Sequence, residues 1–492
     1  MGVIQKDAIR TTMISYLGLI LGYLNKGVLF VFILSTEQIG LINLILSLSL
    51  LFAQFSNLGV INSTWKFLPF FHHSGKQLYN FLRLSFGIVT IGLILTTVLF
   101  FLSENLIVNY YQEKSSAFVD NYYWIIPIGM ANVYFLLFEN YLKGLYKHIV
   151  AVFAYEILLR LFVMVLLIML WKKIIDFNSF FILHAFIYFI PTLVLFVYLI
   201  KLGEITFTRS VRRIPKRIQN IIIKYGAFSY LNSVGAMLVT TIDATMIAAM
   251  VGLSGAGIYT TVMYLTSALQ VPYRAMFRVS IPLIGKYWKE KNMDAMNDLY
   301  RQFSSVNLVI GSGMFLLVWV NVDELFSLLP TSFNEGIYVF FFLMLGKLTD
   351  MYMGVNSMIL ATSKKYRIDI LFAFIMICIV SGLNYLFIPD LGIVGAAIST
   401  MIALIVYNSL RTFYLWKKFG LNPFKLQQLI VLIFFSITLT INHYNPINVD
   451  GVIMNIVMGV FITIIGFVIP VIVLKLEPKF NEILKNIVQR FR

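Results

Sequence analysis

Long apolar runs, each about as long as a bilayer is thick and each closed by a short polar segment, recur along the whole chain. They lie near 11–34, 39–62, 84–103, 121–142, 149–171, 178–200, 225–251, 256–283, 303–322, 336–361, 368–388, 392–414, 426–442 and 452–474. A membrane-crossing helix takes about 20 apolar residues, and hydrocarbon offers no partner for a free backbone N–H or C=O, so each run is expected to be α-helical. The pattern predicts an all-α polytopic membrane protein of about fourteen transmembrane helices, with no room for a sizeable soluble domain. The first run carries Lys26 and lacks a small-residue cleavage site, so it reads as a retained helix and not a removable signal.

Composition agrees. Hydrophobic residues make up 60% of the chain and charged residues 12%, with a mean hydropathy of +0.86, whereas soluble domains carry about 25% charge. The lone cysteine, Cys378, lies inside an apolar run, which excludes a disulfide framework and a cysteine-based metal site. Twenty-nine of the 38 Lys and Arg residues fall in segments on one side of the membrane, against Lys114, Lys172 and Lys173 on the other. That asymmetry places both termini in the cytoplasm. The net charge of +16 is thus spread over short segments facing anionic lipid, and nucleic acid is not an expected partner. Ser74-Gly75-Lys76 lacks the upstream glycine and the following Ser or Thr of a phosphate loop, which excludes ATP hydrolysis. The outer loops are too short to hold a catalytic centre, so no enzyme is expected, and no half-length segment suggests a channel filter.

Sliding the chain on itself by 217 residues superposes Lys201-Leu202-Gly203 on Lys418-Phe419-Gly420, Gly18 on Gly235 and Gly40 on Gly257. Runs one to six and seven to twelve also superpose in order. The expected layout is two parallel six-helix repeats about an axis along the membrane normal, as in several secondary transporters. Residues 1–203 form the N-lobe, 204–224 a basic cytoplasmic linker with Arg209, Arg212, Arg213, Lys216 and Arg217, 225–420 the C-lobe, and 421–492 two further helices and a cytoplasmic tail.

A charge at the centre of a membrane helix costs about 2.5–3.5 kcal/mol, so each one inside a run is a candidate functional residue. Glu139 with Lys143 and Glu156 with Arg160 stand at i, i+4, and Lys347 with Asp350 at i, i+3, so the plain reading is that each helix neutralises its own charge. Lys26 and Asp243 have no such local partner. They sit 217 residues apart, and either meet each other or find separate partners. Arg274 and Arg278 form a like-charge pair that nothing local cancels; Arg278 is placed to snorkel to the inner interface, while Arg274 is deeper and suited to an anion. His184, on an apolar run, is expected to pack and not to bind metal.

Ser35-Thr36-Glu37-Gln38-Ile39-Gly40-Leu41, Phe55-Ser56-Asn57-Leu58-Gly59, Thr241-Ile242-Asp243, Gly255-Ala256-Gly257-Ile258-Tyr259 and Leu391-Gly392-Ile393-Val394-Gly395-Ala396-Ala397 together resemble the polysaccharide-transport family. That family belongs to the superfamily of multidrug, oligosaccharidyl-lipid and polysaccharide exporters. The resemblance implies a flippase of the bacterial inner membrane. It would turn undecaprenyl-pyrophosphate-linked oligosaccharide, such as an O-antigen unit, from the cytoplasmic to the periplasmic leaflet by alternating access of two lobes. The family's acidic residue on the seventh helix carries over to Asp243, and its basic cavity lining to Lys26 and Arg274. On this reading the anionic headgroup meets Lys26, Arg274, Arg160 and Arg278. Ion coupling or gating falls to Asp243, Asp350, Glu156 and Lys347. No cofactor or metal is implied beyond a coupling H+ or Na+. The expected partners are the lipid-linked substrate, membrane lipids and the polymerase and glycosyltransferase machinery around a monomer. The alternatives are an ion-coupled exporter of cationic amphiphiles and a flippase of peptidoglycan lipid precursors.

Overall fold

The computed structural model of the protein describes residues 2–72, 76–205, 216–444 and 451–482, and every regular element among them is helical. Arg209, Arg212 and Arg213 of the expected linker lie outside the described residues, as does the side chain of Arg217. The chain divides into two compact units, Met1–Thr261 and Val262–Arg492.

The first unit contains α1 (Arg10–Ile33), α2 (Thr36–Ser56), α3 (Val60–His72), α4 (Phe81–Leu102), α5 (Glu104–Tyr111), α6 (Ser116–Gly144), α7 (Ile149–Trp171), α8 (Phe177–Lys201), α9 (Gln219–Met250) and the start of α10 (Leu253–Thr266). The second contains α11 (Val271–Glu290), α12 (Met293–Trp319), α13 (Val322–Ser327), α14 (Ile337–Tyr352), α15 (Asn356–Thr362), α16 (Arg367–Phe419), α17 (Leu426–Tyr444) and α18 (Val452–Val473). Among the described residues eleven helices are long and apolar enough to cross a membrane, or twelve if α14 and α15, bent by 52°, make one span.

One expected boundary is met as a kink, and one expected span is not a single helix. At 53 residues α16 is far too long for one crossing, since at 1.5 Å per residue it would run about 80 Å. It breaks at Gly392, whose φ of 56° and ψ of −136° are not helical. Pro389 weakens the turn before the break by withholding an N–H. A Cβ at Gly395 would overlap the carbonyl oxygen of Phe387, so the two arms press together backbone to backbone. They correspond to the separate apolar runs 368–388 and 392–414. The run 256–283, in contrast, is not one uniform helix. A 3-10 turn at Ser267–Gln270 separates α10 from α11. With Arg274, Arg278, Lys286 and Lys289, α11 is too polar to qualify as a spanning helix by composition.

Within the first unit the entry to α2 shows how a short motif becomes a junction. Ser35 caps the helix by accepting from Gln38 N at 3.2 Å, and the Gln38 side chain accepts from Ser35 N at 3.0 Å, a reciprocal capping box. One turn on, Gly40 lies against α10. A Cβ there would overlap the Leu253 carbonyl oxygen, and a Cβ at Gly257 would overlap that of Thr36. Thr36 Oγ1 and Ser254 Oγ are 2.7 Å apart, and Asn43 Nδ2 donates to Thr260 Oγ1 at 3.0 Å. Small residues that let two backbones touch are what a membrane helix crossing needs where apolar burial drives nothing. Gly40 and Gly257, and Asn43 and Thr260, are each 217 apart. At the other end of the same stretch α3 grips α9: Asn62 Nδ2 donates to Ser233 Oγ at 2.7 Å, and Lys66 Nζ lies 3.6 Å from the centre of the Tyr225 ring.

The second unit fixes α17 to α12 through Gln428, whose Nε2 donates to Ser305 Oγ at 2.8 Å and to the Pro423 carbonyl at 3.0 Å. One end of the first unit carries a cluster of aromatic rings, with Phe100, Tyr122, Tyr123 and Trp124 in ring contact with neighbours, as expected at a membrane interface.

Two outcomes follow. In a Cys378→Ser background, Thr36→Cys with Ser254→Cys should close to a disulfide under mild oxidant, and adding Gly40→Leu should sharply reduce the yield. An undiminished yield would contradict the close crossing. Gly392→Ala should lower thermal stability by about 1–3 kcal/mol, because an alanine is forced into a backbone region reserved for glycine; a melting curve on detergent-solubilised protein reads this out.

Candidate functional site

The intramembrane charges gather into one polar cluster in each unit. In the first, two neighbouring helices each carry a π-helical turn, Leu24–Leu29 with Lys26 on α1 and Ala154–Leu158 with Glu156 on α7. A π turn leaves the ordinary ladder of backbone bonds imperfect and is frequent where function is built. Asn25 Nδ2 donates to the Arg160 carbonyl at 2.7 Å, while the Arg160 guanidinium donates to the Gly18 carbonyl and pairs with Glu156 at 2.5 Å. Gly18 makes this possible, since a Cβ there would lie 2.7 Å from the Glu156 side chain. The Glu156–Arg160 pair expected from spacing is therefore formed, and so is Glu139–Lys143 at 2.8 Å.

Lys26 Nζ donates to Asn43 Oδ1 at 3.2 Å, and Asn43 passes the chain to Thr260. Asp243 is buried and accepts from the Tyr259 hydroxyl at 2.5 Å. Lys26 and Asp243, the two residues without a local partner in sequence, thus lead to consecutive positions on α10, Thr260 and Tyr259. His184 is buried among aromatic rings, stacked on Phe180 with centroids 5.6 Å apart. No group of three or more metal-ligating side chains occurs among the described residues.

In the second unit Lys347 and Asp350 share a helix, yet the structure does not pair them. Lys347 Nζ donates instead to Thr266 Oγ1 at 2.6 Å and to the Met263 carbonyl at 3.0 Å. Asp350 accepts from Asn408 Nδ2 at 3.2 Å and Gln270 Nε2 at 3.3 Å. The two side chains find separate partners because the end of α10 offers oxygens to the amine, while Gln270 of the 3-10 turn and Asn408 of α16 offer carboxamides to the acid. Each charge is solvated by dipoles and neither is cancelled.

Arg274 and Arg278 are exposed, and among the described residues neither has an ion pair or a hydrogen bond. Arg274 is near enough to Lys347 for the two positive charges to repel. Among the described residues no carboxylate contacts this trio directly. An arginine cannot shed its proton, so such a group needs water or an anion beside it.

Some of the polar framework has no signature in the sequence. Arg411 pairs with Asp369 at 2.7 Å and lies 3.7 Å from the centre of the Tyr407 ring, all three coming from the two arms of α16. The partners are 42 residues apart, beyond any helical spacing. Asn356, Asn408, Thr412 and Tyr300 extend the network. Asn43 and Thr260 were not singled out in the sequence either, although they stand at the same 217-residue separation as Gly40 and Gly257.

The chain has relatives. The family described as polysaccharide biosynthesis protein matches residues 4–288. Among solved structures, the lipid II flippase MurJ in an inward closed conformation is similar at 15% identity, covering 94% of this chain and 97% of that one with a TM-score of 0.69. An inward-facing multidrug resistance MATE family transporter of the MOP superfamily is similar at 16% identity, covering 82% and 94% with a TM-score of 0.64. A MOP superfamily transporter from Pyrococcus furiosus Vc1, described as having a binding pocket of reversed polarity, is similar at 14%, covering 85% and 96% with a TM-score of 0.56. These likenesses establish a MOP-type fold. No curated protein matches the chain.

Asp369→Ala should destabilise the protein by about 3–5 kcal/mol, since it strands a buried guanidinium, whereas Glu139→Ala, whose partner Lys143 is well exposed, should cost under about 1 kcal/mol. Thermal melts of the two variants, compared side by side, test whether burial sets the difference.

Proposed function

Because the chain belongs to the polysaccharide biosynthesis protein family, we propose that it is a flippase that carries undecaprenyl-pyrophosphate-linked oligosaccharide from the cytoplasmic to the periplasmic leaflet of a bacterial inner membrane. The observation that carries this reading is the unneutralised pair Arg274 and Arg278 on α11. A guanidinium presents two parallel N–H groups at the spacing of phosphate oxygens, so a diphosphate fits two such groups one helical turn apart. Lys347, held by a hydroxyl and a carbonyl, adds positive field without itself being engaged. In the first unit Lys26 and Arg160 would serve the headgroup after it moves outward, with Glu156 holding Arg160 until then.

Transport of a charged headgroup through hydrocarbon requires its counter-charges to be presented in turn to the two leaflets. Asp243 and Asp350 are the candidates for coupling this to H+ or Na+, because each is a carboxylate inside the helical bundle that accepts from neutral donors. A two-repeat architecture supplies the movement. The 217-residue spacing of Gly40 with Gly257 and of Asn43 with Thr260, each pair in mutual contact, supports it. The skew of Lys and Arg supports cytoplasmic termini. The substrate reaching the protein from glycosyltransferases and leaving to a polymerase needs no chemistry from the chain, and a monomer suffices.

Arg274→Ala should lose about 1.5–3 kcal/mol of headgroup binding, the worth of a hydrogen bond to a charged group, and surface polysaccharide should fall by tenfold or more while the amount of inserted protein stays constant. Lectin or antibody staining of cells, with a membrane immunoblot as control, measures both. Normal polysaccharide display would overturn the assignment, and sensitivity to cationic drugs without loss of polysaccharide would favour export of cationic amphiphiles.

A further inference from the structure

The proposed headgroup chemistry leaves one polar cavity unused. It lies in the second unit where α12 and α13 meet the ends of α17 and α18, with a volume of about 200 Å3. The segment that borders it, 320–336, contains no Lys or Arg, which by charge asymmetry argues for the outer face. Its position is fixed by packing. Asn321 turns the chain from α12 into α13, donating from Nδ2 to the Leu317 carbonyl at 2.7 Å. A Cβ at Gly459 would overlap the Asn321 side chain, so α18 presses on this corner and brings Asn455, one turn earlier, to the cavity wall. Trp319 is braced on one side by Phe341, with ring centroids 4.5 Å apart, and lines the cavity.

The lining combines two aromatic groups, Trp319 and Tyr338, with two carboxylates, Asp323 and Glu324, and two carboxamides, Asn442 and Asn455. Asp323 and Glu324 have no ion-pair partner among the described residues. Such unspent acceptors argue against an apolar ligand, which would leave them desolvated and unpaired. They repel an anion, and His443 is the one titratable base in the lining. A metal ion is disfavoured, since no described group of three ligating side chains is assembled. What matches is a ring with an apolar C–H face and a rim of hydroxyls. The indole and phenol take the face, and the carboxylates and carboxamides take hydroxyls through hydrogen bonds, the charged ones being the stronger. The size suits a single ring.

We infer that this outer cavity binds one neutral or amino-bearing sugar ring and rejects uronates. The inference stands apart from the flippase reading, because it concerns other residues on another face and is tested by binding alone. The full chain in detergent is titrated calorimetrically with N-acetylglucosamine, glucosamine, glucuronate and calcium chloride. Saturable binding of the first two is expected, with glucuronate at least tenfold weaker, and a saturable change in tryptophan fluorescence that vanishes in Trp319→Phe. Asp323→Asn with Glu324→Gln should weaken binding at least tenfold. Tyr338→Ala, at a ring 63% exposed and so dispensable for folding, should also weaken it. No saturable binding of either sugar, glucuronate binding as tightly as the others, unchanged affinity in the double variant, or calcium saturation that displaces the sugars would each overturn the inference.

Discussion

A charge inside a membrane helix has to be met by something other than bulk water, and that requirement organises both polar clusters of this protein. Three solutions coexist in one chain. Glu156 and Arg160 cancel on one helix. Lys347 and Asp350 are each solvated by neutral dipoles from neighbouring helices. Arg274 and Arg278 are left facing outward, without a partner among the described residues. The first is neutralised within its own helix, the second holds a charge in place without quenching it, and the third leaves two guanidiniums with no protein partner among the described residues. The division of labour follows from how each charge is satisfied, because only a charge not already neutralised has interaction free energy left to give to a substrate.

Dipolar solvation has a mechanical corollary. An ion pair in low dielectric is costly to separate, whereas a lysine on a hydroxyl and a carbonyl gives up modest hydrogen bonds; between membrane helices these average only about 0.6 kcal/mol each. The junction of α2 with α10 is of the same kind, made from two glycines, two hydroxyls and one carboxamide bond. Contacts of this sort are specific in geometry and weak in strength. Rigid ion pairs are reserved for places such as Arg411 with Asp369, where the two arms of α16 stay together.

Much of the fold could be read from hydrophobic pattern alone, because hydrocarbon enforces helices wherever about 20 apolar residues run together. The place where the reading and the structure part is instructive. Residues 367–419 separate at Gly392 as the apolar pattern has it, the two arms meeting at a non-helical kink. Residues 256–283 read as one span, but the chain there turns through a 3-10 segment and becomes polar, which a window averaged for hydropathy blurs. For the site, spacing found the pairs Glu139–Lys143 and Glu156–Arg160 since both partners lie on one helix face. It misjudged Lys347 and Asp350, where adjacency on a helix was outweighed by better donors and acceptors across it. It missed Arg411 with Asp369 altogether, because their meeting depends on tertiary folding.

The crossing of α2 and α10 has one more implication. The first glycine touches the turn preceding the second, and the second touches the turn preceding the first, while Asn43 and Thr260 join across the middle. A contact of that reciprocal form is the hallmark of an isologous interface, in which two identical surfaces pair about a twofold axis. In a single polypeptide the same pairing makes each helix both wedge and socket for the other, so a bulkier residue at either glycine would part both contacts at once.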